Sequence, residues 1–277
     1  PVAREFEVGV RTTPVATTKA LIYLDKQLSA FNNRLYRQKK IYRAKVSLST
    51  SAVQTEIPVY ALAPTWWVIN SIRKASDVLD EVMKEEIREM GPEAMGRWYD
   101  FRIKHGGSGW EDLDLKASQD GTLTTVTPSQ LYGEYEYSEI MCGDGNTRGF
   151  KLYGSTDTSN YNIFDEYDAL GNVDTSPGVT NTGGYGDATA DLDVENIQHL
   201  SGDGNLPPYN SSEFPNSMWV RVGTLFRDSN GNQVTTTGFF DAPLGIIALA
   251  TYDGNTSQQL KVEVAGGNYK GVAAHDL

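Results

Sequence analysis

The side chains best suited to chemistry in this sequence stand at spacings that the chemistry does not use. Cys142 is the single cysteine. A thiol nucleophile needs a neighbouring cation to favour the thiolate, and the run Met141-Cys142-Gly143-Asp144 supplies none. The three histidines, His105, His199 and His275, are far apart and share no metal-ligand spacing with one another or with Cys142. They are read as surface or hydrogen-bonded residues. His105-Gly106-Gly107-Ser108-Gly109 is similar to the backbone-donor loop of some esterases. A nucleophile elbow, however, wants glycine two residues on either side of the serine, and Trp110 takes the second place. These glycines are assigned to a turn.

Asp228-Ser229-Asn230-Gly231-Asn232 offers oxygen ligands at alternate positions. An EF-hand loop would need Gly and Glu where Gln233 and Phe239 stand, so a hairpin turn is expected there instead. Three carboxylate pairs, Glu134/Glu136, Asp165/Glu166 and Asp191/Asp193, are of the type a glycosidase opposes across a cleft. Glu134 and Glu136 alternate with Tyr135 and Tyr137, the pattern of a solvated face backed by an aromatic one. Neither a phosphate-cradling loop nor a dinucleotide fingerprint is present. The sequence is read as non-enzymatic, with no cofactor and no metal.

One segment has the chemistry of a nucleic-acid contact. Arg34, Arg37, Lys39, Lys40, Arg43 and Lys45 fall within twelve residues, interleaved with Tyr36 and Tyr42. On a strand, Lys39, Arg43 and Lys45 leave one face, where they could meet phosphates. The alternative is that the first cations offset a helix dipole and the others are simply solvated. The wider charge is lopsided. Residues 1–105 hold 17 of the 24 Lys and Arg and 12 of the 36 Asp and Glu, a formal +5, whereas residues 106–277 carry 7 bases against 24 acids, or −17. A net charge of −12 argues against general nucleic-acid binding, while the mildly basic first part suits an anionic partner.

The elements that would position these residues follow from periodicity. Leu21, Leu24, Leu28, Phe31 and Leu35 recur at steps of three and four, predicting an amphipathic helix from Thr17. Residues 1–36 are therefore read as an N-terminal arm with that helix. Tyr42, Ala44, Val46 and Leu48 alternate with Ile41, Arg43, Lys45 and Ser47, predicting a half-buried strand with a basic outer face. Ile57 to Ala63 predicts a second strand, and Trp66 to Met90 a long helix stopped by Gly91-Pro92. A short helical turn is expected at Glu93 to Gly96 and a strand over Arg97 to Ile103.

Beyond residue 105 strands dominate: Leu131 to Met141, Phe150 to Tyr153, Ser217 to Phe226, Gln233 to Phe240, Leu244 to Tyr252 and Gln259 to Val264. Asn-Gly and Asp-Gly turns separate several of them. Gly154 to Asn216, rich in Gly, Ser, Thr, Asn and Asp, reads as surface loop. The predicted fold is mainly β, an antiparallel sandwich or jelly roll over residues 37–277, with a helical insertion about 66–96 and long loops about 154–216. No stretch is apolar enough to span a membrane, no signal peptide is evident at the start, and the lone cysteine fits a reducing compartment.

In this order and texture the chain resembles an icosahedral virus capsid protein of the single jelly-roll type. A basic segment from Arg34 to Lys45, helices 66–96 set between strands, and an acidic second part rich in Gly, Asn and Thr carry the likeness. The resemblance implies a self-assembling subunit made in the host cytoplasm and found in the virion. Its partners would be copies of itself and viral nucleic acid, the latter through the basic segment. A strongly Arg-rich arm, common in small shells, is missing, which puts direct genome packaging in doubt. The rival readings are a carbohydrate-binding or adhesion module, with Trp66, Trp67, Trp110 and the tyrosines stacking on sugars, and a β-rich hydrolase.

Overall fold

A computed structural model describes residues 2–9, 18–50, 55–91, 96–118, 123–125, 133–143, 145–171, 218–227, 230, 232–252 and 259–277. In chain order the elements are β1 (Glu5–Gly9), β2 (Thr18–Tyr23), α1 (Leu24–Asn32), β3 (Lys40–Thr50), β4 (Thr55–Leu62), α2 (Trp66–Met90), β5 (Trp110–Asp112), β6 (Asp114–Ser118) and β7 (Leu123–Thr125). They continue with β8 (Glu139–Met141), β9 (Thr147–Lys151), β10 (Asn160–Asn162), α3 (Ile163–Gly171), β11 (Trp219–Arg227), β12 (Gln233–Val234), β13 (Phe240–Pro243), β14 (Ile246–Tyr252), β15 (Gln259–Val264) and β16 (Ala274–Asp276). The chain is mainly β, as its alternating patterns predict, in curled and largely antiparallel sheets.

The first sheet has the order β13-β3-β15-β1-β6-β7, with β16 also on β3; the second runs β12-β11-β4-β14-β2-β5. A small third sheet, β10-β9-β8, lies in the segment between β4 and β11. Register shifts in β11 near Arg221 and Gly223, and in β14 after Leu249, mark irregularities of the kind that bend a strand.

Alternation places the cores. Phe6 and Val8 of β1, Val46 and Leu48 of β3, and Val262 and Val264 of β15 turn inward from the first sheet. They share one buried cluster with Ile57, Val59 and Ala61 of β4 and Ile247 and Leu249 of β14 from the second. The opposite faces of those second-sheet strands are buried as well. Leu21, Tyr23, Leu62, Ile246 and Ala248 pack under Val68, Ile72, Ala75 and Leu79 of α2, together with Phe150, Ile163 and Phe164. Those α2 residues recur at three and four, the stripe of a helix laid on a sheet. The Thr65 side chain accepts from the Val68 N–H at 3.3 Å to start α2, and Gly91, at φ +90, stops it. Among the described residues no helix is long and apolar enough to cross a membrane.

Two-sided burial corrects the helix predicted from Thr17. A strand with both faces covered carries no polar alternation, and a short apolar run then fits either period. Ala20-Leu21-Ile22-Tyr23 is strand, with Ala20 and Ile22 in one core and Leu21 and Tyr23 in the other; the helix begins only at Leu24. Residues 1–36 are likewise not simply an arm, since β1 lies between β15 and β6 and β2 between β14 and β5.

The strand expected over Arg97 to Ile103 is a turn followed by irregular chain, because its backbone is met by side chains. The Ile103 N–H donates to Gln38 Oε1 at 2.6 Å and the Arg102 N–H to Ser138 Oγ at 2.9 Å. Of the described part of Leu131 to Met141 only the end, β8, is strand, and Gln233 to Phe240 divides into β12 and the start of β13. Within the tract expected as loop, β10 and α3 form, while 172–217 lie outside the described residues, as does most of the turn expected at Glu93 to Gly96. Removing residues 1–36 should abolish cooperative folding, since two interior strands go with them. Loss of near-UV circular dichroism and of a thermal transition would show this; a folded truncated body would contradict the pairing of β1 and β2.

Candidate cationic interface and polar cleft

The structure divides the six predicted cations. Arg43 and Lys45 leave the outer face of β3, as the alternation requires, but that face is not basic. The Lys45 ammonium meets Glu263 of β15 at 2.6 Å, and Arg43 faces Asp241 of β13 at 4.0 Å. Lys261 pairs with Glu5 of β1 one strand further along. Exposed pairs of this kind add little stability, yet they erase the field a phosphate backbone would feel. Lys39 departs from this face and donates to Ser76 of α2 at 2.7 Å.

Arg34, Arg37 and Lys40 gather elsewhere, around Lys270 in the turn before β16. Lys40 lies 4.3 Å from the Tyr269 ring and pairs with Asp276 at 2.6 Å. The Lys270 ammonium donates to the Leu35 carbonyl and lies 5.4 Å from the same ring. Burial, reinforced by Arg37 and Arg34, pulls Lys270 below the usual lysine range. Arg37 bridges to Asp100 at 3.1 Å, and that carboxylate also accepts from the Gln38 N–H at 2.8 Å. Burial pushes Asp100 up despite these partners. Asp100 and Asp276 are the acids seen paired with this group among the described residues, so positive charge is in excess here.

Behind the Arg37–Asp100 pair opens a cleft of about 770 Å3, between α1, the middle of α2 and segments 96–102 and 133–139. Tyr135 donates its hydroxyl to the fully buried Asp25 at 2.7 Å, and the Arg102 guanidinium lies 4.3 Å from the Tyr135 ring while donating to the Glu136 carbonyl. Burial pushes the Asp25 carboxyl up to about 7, against the Tyr135 hydrogen bond, with nearby Asp100 adding to the rise. Sequence reasoning missed Asp25, Arg102 and Lys270. Of these only Asp25 carried a signal, a lone acid in the apolar run Leu21 to Leu28.

Among the described residues, those weighed for catalysis form no cluster. His105 is buried, its ring stacked on Tyr153 at 5.6 Å and tilted against Trp110 at 4.4 Å and Trp219 at 5.5 Å. Nδ1 accepts from the Gly107 N–H at 3.1 Å, leaving the proton of the neutral ring on Nε2. Burial, with help from Lys19, lowers its pKa to about 4. The glycines serve this packing: a Cβ at Gly107 would fall 2.7 Å from Trp110, and one at Gly106, at φ +81, 2.7 Å from Lys151. Ser108 is exposed.

Cys142 Sγ lies 3.1 Å from the Tyr161 hydroxyl, to which Arg148 donates. Among the described residues no three His, Cys, Asp or Glu side chains gather as a metal would need. Of the tryptophans considered for sugar stacking, Trp67 is stacked on Phe164 at 4.9 Å, Trp110 lies against His105, and Trp66 stands exposed at the start of α2. His199, Asp191, Asp193 and most of the turn from Asp228 lie outside the described residues. Comparison with protein-family models, curated proteins and solved structures finds no match to this chain.

The shifts at Asp25 and His105 act in opposite directions. Asp25 keeps its proton when folded up to about 7 but loses it near 3.8 when unfolded, so its contribution is full below 3.8 and lost as pH rises to 7. His105 stays neutral when folded down to about 4, whereas unfolded it protonates near 6.5; its contribution is full above 6.5 and lost as pH falls to 4. Asp25→Asn should therefore be little changed at pH 4 and gain on the order of 4 kcal/mol over the parent at pH 8. Urea unfolding at both pH values measures this, and an equal difference at the two would refute it.

Proposed function

We propose that this chain is the repeating subunit of a closed protein shell of the virus-capsid kind, built on a jelly roll. The observation that carries this is the nesting of strand pairs. Taking β1, β2, β3, β4, β11, β13, β14 and β15 as one series, the first pairs with the last, β1 with β15, and the second with the seventh, β2 with β14. The third pairs with the sixth, β3 with β13, and the fourth with the fifth, β4 with β11. That is the order made by wrapping one long antiparallel ribbon around a barrel, and the contacts of β15 with β3 and of β14 with β4 close the wrap. Double-sheet jelly rolls of this kind serve capsids and lectins.

Two further features favour a building block. The space between the sheets is filled by apolar side chains such as Ile22, Val46, Val59 and Val262, so recognition falls to outer surfaces. Those surfaces differ: one sheet presents a neutralised lattice of charges, while the middle of the other is covered by α2 and its described neighbours. A shell subunit needs unlike inner and outer sides. Within this proposal the contact with nucleic acid falls to Arg34, Arg37 and Lys40 with Lys270, rather than to Arg43 and Lys45.

Electron microscopy of the purified chain near physiological salt tests the proposal. Closed particles tens of nanometres wide are expected. A monomer at every concentration and salt tried would sink it.

A further inference from the structure

We propose that the cleft between α1 and segment 133–139 is a binding site for an uncharged oligosaccharide, independent of whether the subunit assembles. At about 770 Å3 it falls within the size range of small-molecule sites. Cations and carboxylates line it in equal number, Lys26, Arg34, Arg97 and Arg102 with Asp100, Glu134, Glu136 and Glu139, so neither sign dominates the wall. A polyanion gains no net Coulomb attraction from such a wall.

A neutral ligand rich in hydroxyls fits both facts. Each hydroxyl both donates and accepts, so neighbouring carboxylates and guanidinium groups can bind adjacent hydroxyls together. The C–H face of a pyranose ring is flat and apolar, and aromatic rings supply its complement. Tyr135 and Tyr137 stand nearly perpendicular, centroids 5.8 Å apart at 86°; the Arg102 guanidinium covers the Tyr135 ring and leaves the half-buried Tyr137 to offer a platform. Trp98, 57% exposed at the same cleft, is a large apolar ring left in water.

The polar part is set in advance. Arg102 is only 8% exposed, and its fork is held by the Tyr135 ring and the Glu136 carbonyl. Little side-chain freedom remains to be lost on binding. The alternation along 133–139, with Tyr135 and Tyr137 half-buried and Glu134 and Glu136 exposed, places rings on the wall and carboxylates at the rim.

The test uses the full chain on an array of uncharged oligosaccharides, with heparin and oligo(dT) as polyanion probes, followed by calorimetric titration of the best ligand. Trp98→Ala and Glu136→Gln alter exposed side chains and should leave the fold intact, verified by circular dichroism. Each should weaken binding of the uncharged sugar at least about tenfold, equivalent to roughly 1.4 kcal/mol. Binding of heparin or oligo(dT) alone, no uncharged ligand on the array, or sugar binding unchanged in both variants would each overturn the proposal. Because binding is read on unassembled protein, its failure leaves the shell proposal standing, and the reverse holds too.

Discussion

At its centre, along Ala20 to Tyr23 of β2 and Ile246 to Leu249 of β14, the second sheet has water on neither side, and much of the molecule follows from that. Along β2, β4 and β14 successive side chains enter different cores: Ala20, Ile22, Ile57, Val59 and Ile247 face the first sheet, and Leu21, Tyr23, Leu62, Ile246 and Ala248 face α2 and its neighbours. A sheet covered on one side only would expose these outer residues at about 25 cal/mol per Å2 of apolar surface. The described parts of the segment between β4 and β11, α2 above all, therefore cannot be a detachable decoration. They complete the burial of the middle of a sheet that would otherwise be half wet.

Covering a sheet with irregular chain raises a second demand, since every buried N–H and C=O needs a partner. Here polar side chains do what a neighbouring strand would have done. Gln38 both accepts from the Ile103 N–H and donates to the Ile103 carbonyl, pairing with that residue as a strand would. Ser138 accepts from the Arg102 N–H while its own N–H donates to the Arg102 carbonyl. Asn162 accepts from the N–H groups of Phe164 and Asp165 and so caps α3. The cleft lies beside these substitutes for strand pairing, where the covering layer turns away from α1. Its aromatic and charged walls are a consequence of that seam.

Legibility in the sequence tracked whether an element had one wet side. The β3 strand and the α2 helix, each with a solvated face, were read from alternation and from the three-four stripe; β15 was read with both its ends. The β2 strand was mistaken for helix because no polar face punctuates Ala20 to Leu24. The short strands β5, β6 and β7 and the helix α3 went unseen, being brief or placed in a Gly- and Asp-rich tract. For the cations, residue type was plain but environment was not. Asp241 and Glu263 lie some two hundred residues from Arg43 and Lys45, and only strand order sets them opposite. The cleft was illegible for the same reason, with Asp25, Arg102 and Tyr135 scattered along the chain.

Those pairings also change the meaning of the lopsided charge. Arg43–Asp241, Lys45–Glu263 and Lys40–Asp276 each join a cation from the first part of the chain to an acid from its last forty residues. Separation of charge along the sequence is thus partly a complementarity between segments that become neighbouring strands. Among the described residues, the group around Lys270 keeps positive charge in excess. The rest of the molecule remains acidic, with a net −12 that sets like subunits against one another at long range. On the shell proposal, contacts between copies would therefore arise from short-range packing or from matched charges such as those on the first sheet. Screening weakens the long-range repulsion over the Debye length, about 8 Å at physiological salt, while leaving close packing nearly untouched. On the shell proposal, ionic strength would set when subunits meet, and the geometry of the wrapped ribbon would set how they fit.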